Sequence, residues 1–483
     1  MTDTKTEVAA GTAGALEAVG ATGVTGAPLD EETRYRAVGS RDARFDGVFF
    51  FGVATTGIYC RPSCPAVTPK RRNVSFYPTA AAAQAHGFRA CRRCRPDAVP
   101  GSPEWNVRAD VVGRAMRMIG DGVVDREGVP GLAGRLGYST RQVQRQLTAE
   151  LGAGPVALAR AQRAHTARVL LQTTELPVTE IAFASGFASV RQFNATIRAV
   201  YARTPTALRA ESGTGTGTTA DTRTGTNART ALAAGVPLRL AHRGPYAARE
   251  VFDLLAAEAV PGIEEVVGAP GTRTYRRTLR LPYGTGLVSV DEHSPGPWLD
   301  ARIRLTELRD LATAVQRLRR LLDLDADPYA VAERLGADPV LAAEVAARPG
   351  VRSPGTAEPE EFAIRTLVGP AEAARLVTRH GLPLDTPCGG LTHVFPAPAE
   401  LTAHPVAGPL ARALADDTVR LDPGADRDAS AAALAGVPGV GAEAVAAIRV
   451  RALGDPDVAV PGVRGREEWR PWRSYAARYL GRG

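Results

Sequence analysis

Four of the five cysteines in this 483-residue chain form two close pairs. Three residues separate Cys60 from Cys64, and two residues separate Cys91 from Cys94. Twenty-six residues lie between the pairs. This spacing is typical of two chelating loops that close one tetrahedral site, and four thiolates indicate zinc. Metal-free cysteine pairs are one alternative. A purely structural zinc site is another, and spacing alone does not separate it from a reactive one.

The segment that holds these cysteines is strongly basic. Between Cys60 and Arg95 there is no acidic residue, and the basic residues are Arg61, Lys70, Arg71, Arg72, Arg89, Arg92, Arg93 and Arg95. The whole chain carries a formal net charge of +8 and has a pI near 9.5, which favours an acidic partner such as nucleic acid. We therefore expect DNA contacts from Arg61, Arg71 and Arg72, with a solvated basic face as the alternative.

The residues around the cysteines also resemble a known family. The stretch "VFFFGVATTGIYCRPSCPAVTPKRRNVSFYPTAAAAQAHGFRACRRCRPD" closely resembles the N-terminal zinc domain of the Ada-type DNA methyl-phosphotriester methyltransferases. The similarity spans residues 41–97. It implies that Cys60 accepts a methyl group from a methylated phosphate of the DNA backbone. It also implies that the zinc ligands are Cys60, Cys64, Cys91 and Cys94.

Zinc would give the Cys60 sulfur a reactivity that a free thiol lacks. A free cysteine with a pKa near ~8.5 is mostly protonated at neutral pH, whereas a zinc-bound sulfur is held as the thiolate. Four thiolates on one divalent cation form a negative cluster that repels DNA, and methylation removes one of those charges. The hypothesis is a switch in which repair itself raises DNA affinity. Because a thioether is a poor leaving group, the transfer is expected to be irreversible.

The region that follows has the spacing of a helix-turn-helix unit. In "PGLAGRLGYSTRQVQRQLTAEL", Gly137 supplies a turn and Ser139 can cap the next helix. Val143, Leu147 and Leu151 then recur every four residues on one face. The outer face of that helix is polar, and the residues there that we expect to contact DNA are Arg141, Gln142, Gln144 and Arg145.

A second unit lies fifty residues further on, in "PVTEIAFASGFASVRQFNATIRAVYARTP". Ser189 is the predicted cap, and Phe193 and Ile197 belong to the predicted buried stripe. One capped amphipathic helix is weak support for DNA binding, but two units indicate a tandem helix-turn-helix. The segments "IAFASGFASVRQFN" and "YARTPTALR" resemble the AraC-type regulator domain, which implies promoter DNA and RNA polymerase as partners. The outward residues predicted to contact DNA are Arg191, Gln192 and Asn194.

The second half of the chain resembles the alkylated-base DNA glycosylases of the AlkA type. The supporting segments are "VRSPGTAEPEEFAIRTLVG", "GGLTHVFPAPAEL", "LAGVPGVGAEAVAAIRVRALGDPD" and "WRPWRSYAARYL". The turn "VPGVG" at 437–441 fits a helix-hairpin-helix motif, in which Gly439 and Gly441 let backbone amides approach a DNA phosphate. A plain Gly/Pro turn between two helices is the alternative.

This half departs from the AlkA pattern at the catalytic position. The resemblance implies a carboxylate that stabilises the breaking glycosidic bond, in a run similar to "PATDLGVR". The corresponding run here, "VAVPGVRGREEW", has no aspartate. Asp455 and Asp457 precede that position and fit a loop. We therefore expect a domain that binds DNA but is impaired as a glycosylase, with Glu467 or Glu468 as an alternative carboxylate.

The fifth cysteine, Cys388, is predicted to be structural or incidental. Ada-type proteins often carry a second methyl-accepting cysteine for alkylated guanine, in a Pro-Cys-His-Arg context. Cys388 is followed by two glycines. Guanine alkyl transfer is therefore not expected.

The predicted fold class is multidomain and mainly α, with α+β parts. No run of about 18 apolar residues occurs, and no secretion signal is recognisable, so we expect a cytoplasmic, nucleoid-associated protein without a membrane partner. The predicted segments are a disordered leader over 1–28, an Ada-type zinc domain over 29–100, a tandem helix-turn-helix over 101–210, a flexible linker over 211–234, an AlkA-like α+β domain over 235–308 and a helix-hairpin-helix domain over 309–483.

These domains together predict a protein of the adaptive response to DNA alkylation. In this hypothesis Cys60 takes a methyl group from double-stranded DNA, and the methylated protein then activates repair genes. Two rival functions remain open at this point. One is a transcription regulator whose zinc is purely structural, and the other is a DNA-3-methyladenine glycosylase that uses a substitute carboxylate.

Overall fold

The computed structural model describes residues 29–94, 96, 111–174, 176–210, 235–459 and 466–481. The predicted leader over 1–28 and the predicted linker over 211–234 lie outside the described residues. The multidomain, mainly helical fold class with two larger sheets is confirmed. Among the described residues, no helix combines the length and the apolar composition that crossing a membrane requires.

The cysteine region is a small four-stranded sheet flanked by two helices. Its elements are α1 (Glu31–Gly39), β1 (Phe50–Val53), β2 (Ile58–Cys60), β3 (Val74–Tyr77), α2 (Ala80–Ala85) and β4 (Arg89–Ala90). The strand order is β3-β1-β2-β4, and β2 and β4 run parallel. Because Tyr59 pairs with Ala90, the next residues along the chain, Cys60 and Cys91, lie side by side at the end of this strand pair.

The tandem helix-turn-helix is present as the sequence predicts. Its helices are α3 (Val111–Gly120), α4 (Val123–Leu136), α5 (Thr140–Leu151), α6 (Pro155–Thr173), α7 (Val178–Ala184), α8 (Val190–Tyr201) and α9 (Pro205–Ala210). Ser139 and Ser189 cap α5 and α8 by accepting hydrogen bonds from backbone amides. Gly137 and Gly186 adopt positive φ in the turns, at 78° and 83°. The predicted stripe residues Val143, Leu147, Leu151, Phe193 and Ile197 are buried.

The second half begins with a five-stranded antiparallel sheet. Its elements are β5 (Val236–Ala241), α10 (Ala248–Glu258), β6 (Glu264–Val267), β7 (Thr274–Arg280), β8 (Thr285–Asp291) and β9 (Trp298–Leu305), with the strand order β5-β9-β8-β7-β6. Alternating residues of β8 and β9, such as Val288 and Ile303, are fully buried. This alternation places one face of the sheet against the core.

The rest of the second half is helical and carries one small hairpin. Its elements are α11 (Leu311–Leu321), α12 (Pro328–Gly336), α13 (Ala342–Ala347), α14 (Pro359–His380), β10 (Leu382–Cys388), β11 (Leu391–Val394), α15 (Gly408–Ala415), α16 (Arg427–Ala435), α17 (Ala442–Arg451) and α18 (Arg473–Tyr479). Helix α14 breaks at Gly369, where φ is 77° and Pro370 follows. The predicted hairpin "VPGVG" joins α16 to α17.

One hydrophobic core connects the cysteine region, the second helix-turn-helix unit and the five-stranded sheet. It contains buried Tyr59 and Ala90 from the cysteine region, Phe193 from α8, and Val288 and Ile303 from the sheet. Burial of this apolar surface stabilises the arrangement of the three parts, because each loses exposed area only when the others are in place. Tyr59 and Ala90, the neighbours of the zinc ligands Cys60 and Cys91, therefore share a core with the second recognition helix, whereas the four cysteines lie in a separate cluster.

Candidate zinc centre and nucleic-acid interface

The four paired cysteines converge on one point. Their sulfur atoms all lie within 4.8 Å of one another, and the Sγ atoms of Cys64 and Cys91 are 4.0 Å apart. Each of the four residues is at least nine-tenths buried. Four soft sulfur donors at this separation are the donor set that tetrahedral zinc prefers, so the residues fit the metal.

The electrostatics of the four sulfurs also favour a cation. Hydrogen bonds from Cys64, Cys91 and Cys94, followed by burial, raise the pKa of the Cys60 thiol. The hydrogen bond with Cys60 lowers the pKa of Cys64 to about 7. Four thiolates this close together would repel one another. A divalent cation at the centre removes this repulsion and lets all four be thiolates.

A buried carboxylate holds the loop between Cys60 and Cys64. Asp46 is only 6% exposed. It accepts hydrogen bonds from the backbone N of Ser63 at 3.0 Å and from Ser63 Oγ at 2.6 Å, and it pairs with Arg61 at 3.1 Å. Burial raises the pKa of Asp46, and the bonds from Ser63 oppose that rise. Asp46 therefore fixes the loop that presents the Cys60 sulfur.

Asp46 is not among the site residues predicted from the sequence. A signal was present, because Asp42 and Asp46 are the two acidic residues between positions 41 and 95. A carboxylate that is rare in a basic segment is a candidate partner for the arginines around it.

The basic residues predicted to contact DNA fall into two groups. Arg61 pairs with Asp46, and Arg71 pairs with Glu31 while its guanidinium lies 5.4 Å from the centre of the Phe76 ring. Both arginines are half-buried, and both make contacts that stabilise the fold, whether or not they also contact DNA. The basic residues whose side chains are exposed are Lys70, Arg72, Arg89, Arg92 and Arg93. DNA contacts by Arg61, Arg71 and Arg72 remain a prediction.

Burial does not single out one acceptor sulfur. Cys60 is 6% exposed, Cys64 and Cys94 are 4% exposed, and Cys91 is 9% exposed. The choice of Cys60 as methyl acceptor therefore comes from the family resemblance and not from accessibility.

The chain matches three protein-family models in chain order. Residues 33–97 match the metal binding domain of Ada, residues 132–211 match a helix-turn-helix domain, and residues 237–358 match the AlkA N-terminal domain. A relative from Mycobacterium tuberculosis, named "Probable bifunctional transcriptional activator/DNA repair enzyme AlkA", is 49% identical over 492 residues, which cover 93% of this chain and 96% of the relative. The chain belongs to this bifunctional Ada/AlkA family.

Two further similarities concern shorter parts of the chain. The "Bifunctional transcriptional activator/DNA repair enzyme Ada" of Escherichia coli is 37% identical over 153 residues, which cover 32% of this chain and 42% of that protein. The refined structure of the DNA methyl phosphotriester repair domain of E. coli Ada is 50% identical, covers 15% of this chain and 80% of that domain, and has a TM-score of 0.15. The family models and the relative from M. tuberculosis show that the chain is an Ada-type DNA repair protein and transcriptional activator, and its buried four-cysteine cluster is a zinc site.

In this Ada/AlkA protein both recognition helices present polar side chains. On α5, the predicted DNA-contacting residues Arg141, Gln142, Gln144 and Arg145 are all exposed. Gln142 also completes the cap of its helix, since its Oε1 accepts hydrogen bonds from the backbone N and the Oγ of Ser139. On α8, Arg191 and Gln192 are exposed, whereas Asn194 is half-buried.

The helix-hairpin-helix turn of the AlkA-like half has an open surface. Gly439 and Gly441 are both exposed, and a Cβ added at either would meet no atom within 4 Å. Gly439 has a φ of 87°, a conformation that favours glycine, whereas Gly441 caps α17 with a φ of −80°. The fold therefore requires glycine at 439 only, and Gly441 leaves free space in front of the N-terminus of α17.

Two of the four acidic residues near the expected catalytic position, Asp455 and Asp457, are held by arginines. Asp455 pairs with Arg449 at 2.6 Å, and Asp457 pairs with Arg473 at 2.7 Å. Glu467 and Glu468 are exposed. Residues 460–465, which are half of the run that replaces the family's catalytic segment, lie outside the described residues. Impaired glycosylase activity therefore remains a prediction.

Proposed function

We propose that Cys60 irreversibly accepts the methyl group of DNA methyl-phosphotriesters, and that the methylated protein activates repair genes. The single observation that supports this best is the convergence of four cysteine sulfurs within 4.8 Å in a basic region that is packed on a tandem helix-turn-helix. Bound zinc supplies the chemistry by keeping the four sulfurs deprotonated.

The transfer is a single displacement. A lone pair of Cys60 Sγ forms the new S–C bond, the C–O bond of the phosphotriester breaks, and its electron pair stays on the phosphate oxygen as a diester anion. No proton moves. The Asp46 contacts hold the loop on which the sulfur sits, so the sulfur can be positioned before DNA arrives.

The charge change is the proposed signal. Methylation removes one negative charge from a cluster that faces the phosphate surface, which lowers repulsion of DNA. The exposed arginines and glutamines of α5 and α8 then bind promoter DNA, and RNA polymerase is the proposed partner at the promoter. Methyl transfer and promoter activation then take place in the cytoplasm, at the nucleoid.

Peptide mass mapping tests the assignment of Cys60. The full chain is incubated with duplex DNA that carries methyl-phosphotriesters and is then digested. We expect a gain of one methyl group on the peptide that contains Cys60, and no gain in a Cys60→Ser variant. Cys388→Ser is the matched control and should still gain the methyl group at Cys60. An unmodified Cys60 peptide would support the rival function, a regulator with purely structural zinc.

We propose a second role for the AlkA-like half, which is binding of duplex DNA with little or no base excision. The exposed hairpin at Gly439 and Gly441 supports DNA binding, and the pairing of Asp455 and Asp457 with arginines supports weak catalysis. Release of free base from alkylated DNA at rates above background would overturn this role. If release were lost in a Glu467→Gln or Glu468→Gln variant, the rival function with a substitute carboxylate would be supported.

A further inference from the structure

The first helix-turn-helix unit is packed against the AlkA-like half. Met118 of α3 is fully buried, and a Cβ added at Gly424 would lie 1.8 Å from its Cε atom. Gly424 lies in the loop that leads into α16, the first helix of the helix-hairpin-helix. The backbone of that loop therefore lies directly against the Met118 side chain, and only glycine leaves room for it.

Hydrogen bonds from α3 fix the same loop. Arg114 Nε donates to the carbonyl oxygen of Gly424 at 2.6 Å, and Arg117 Nε donates to that of Pro423 at 2.6 Å. Arg114 also lies 3.6 Å from the carboxylate of Asp426, the cap of α16. Charged donors to these part-buried carbonyls form strong, directional hydrogen bonds, so this contact has a defined register.

A second group of contacts joins the turn after α3 to helix α11. Thr313 Oγ1 donates to the carbonyl oxygen of Asp121 at 2.9 Å, and Arg126 donates to Thr313 Oγ1 at 3.2 Å. The Asp121 carboxylate lies 3.5 Å from Arg320. Thr313 is 1% exposed and Asp121 is 6% exposed, so these polar groups are removed from water together.

The packed surface leaves the proposed DNA-binding elements uncovered. Arg141 and Gln144 on α5, Arg191 on α8 and Gly439 in the hairpin are all exposed in this arrangement. The contact is therefore compatible with DNA binding by either half.

We propose that α3 and its following turn, residues 111–122, are a docking surface for the AlkA-like half. The two halves then form one body that approaches DNA as a unit, and they do not act as two independent modules on a tether. The linkage between docking and DNA binding is reciprocal: if DNA bound to one half shifts the docking equilibrium by a given factor, docking shifts the DNA affinity of that half by the same factor.

Cleavage of the intact chain between the halves tests the docking. A protease recognition sequence is inserted within residues 211–234 of a full chain that carries an N-terminal affinity tag. After cleavage at micromolar protein concentration, we expect the C-terminal half to remain on the affinity resin in a one-to-one ratio. Complete release of the C-terminal half from the cleaved wild-type protein would overturn the proposal.

Gly424→Ala probes the contact itself. The added methyl group collides with Met118, so we expect the affinity between the cleaved halves to fall about tenfold. Gly336→Ala is the matched control, because a Cβ there meets its nearest atom, in Val345, at an ordinary 3.6 Å. If the C-terminal half of a folded Gly424→Ala variant were retained like that of the wild type, the proposed docking surface would be contradicted.

Two further variants keep the test decisive if Gly424→Ala does not fold. Thr313→Val keeps the side-chain volume but removes the hydroxyl that donates to Asp121, and we expect it to weaken retention several-fold. Adding Met118→Ala to Gly424→Ala should cost less than the two single effects combined, because both changes act on one contact. Additive effects, or a Thr313→Val protein that is retained like the wild type, would contradict the docking.

Discussion

The cysteine region and the AlkA-like half place their reactive side chains in opposite environments. In the cysteine region, four sulfurs converge within 4.8 Å, and arginines such as Arg72 and Arg92 remain exposed around them. In the AlkA-like half, Asp455 and Asp457 are each paired with an arginine at 2.6 to 2.7 Å. A carboxylate neutralised in this way contributes to the fold. We therefore propose that the cysteine region is the reactive one and that Asp455 and Asp457 serve the fold of the AlkA-like half.

Removal of one zinc ligand should give the largest effect of these tests. A small effect would contradict the contrast between the two regions. Structural zinc sites contribute about 10–16 kcal/mol of binding free energy. Cys94→Ala should therefore reduce zinc from about one ion per chain to almost none and unfold the cysteine region, as measured by metal analysis and circular dichroism. Cys388→Ala, which changes the cysteine outside the cluster, should keep its zinc. Full zinc occupancy in Cys94→Ala would exclude Cys94 as a ligand.

Replacement of the buried Arg277 tests whether buried ion pairs stabilise the second half. Arg277 is 1% exposed and lies 3.2 Å from Glu264, 3.4 Å from Glu358 and 2.8 Å from Glu361. Arg317 and Arg365 also pair with these carboxylates, but Arg277→Met removes the arginine that contacts all three, so we expect the free energy of unfolding to fall by about 3–5 kcal/mol in urea denaturation.

The neighbouring Arg276 provides the control for this prediction. Arg276 pairs with Glu265 at 3.2 Å, and its side chain is 35% exposed. Arg276→Met should cost no more than about 1 kcal/mol. Equal losses in the two variants would show that burial of the charge network does not matter.

An Asp46 variant tests whether this carboxylate stabilises the loop between Cys60 and Cys64. Asp46→Ala removes both hydrogen bonds to Ser63, and we expect a loss of about 1–3 kcal/mol in unfolding free energy together with faster zinc release to a chelator. Asp42→Ala is the matched control, because it removes an ion pair with Arg44, whose side chain is 64% exposed, and an exposed hydrogen bond from the Arg44 backbone N. Zinc release at the same rate in both variants would leave Asp46 without a role at the site.

Protonation of His242, in the second half, should give the smallest effect on stability, and this effect depends on pH. Burial, followed by the nearby guanidinium of Arg352, lowers the pKa of His242 to about 4 from 6.5. The folded state prefers the neutral ring, so its stabilising contribution is complete above pH 6.5 and is lost as the pH falls toward 4. Since the residue is only partly buried, we expect a change of about 1–2 kcal/mol.

The control for this pH dependence lies in the cysteine region. His242→Phe should flatten the fall in unfolding free energy between pH 6.5 and pH 4. His86→Phe, which changes an exposed histidine of the cysteine region, should leave that slope in place. An unchanged slope in His242→Phe would assign the acid sensitivity to other groups.

Local patterns in the sequence were sufficient for much of this fold. Ser139 and Ser189 were predicted as helix caps because a cap and its helix lie within a few residues, and both accept the expected hydrogen bonds. The buried positions Val143, Phe193 and Ile197 followed from helical periodicity in the same way. The zinc cluster was predictable because ligand spacing within each pair is also a local property.

Contacts between distant segments were not predictable from the sequence. Asp46 meets Ser63 across seventeen positions, and Arg114 meets Gly424 across 310 positions. Neither pair has a periodic signal, because long-range packing depends on the shapes of folded elements. The same limit affects Arg61 and Arg71, which were predicted from charge alone to contact DNA and which pair with Asp46 and Glu31.

The contrast between the two regions is tested most directly with one duplex that carries both a methyl-phosphotriester and an alkylated purine base. After incubation with the full-length protein, the modified peptides and the released free base are measured in the same sample. The account predicts one added methyl group on the Cys60 peptide and no free base above the uncatalysed background. Free base released at many turnovers, with an unmodified Cys60 peptide, would contradict it.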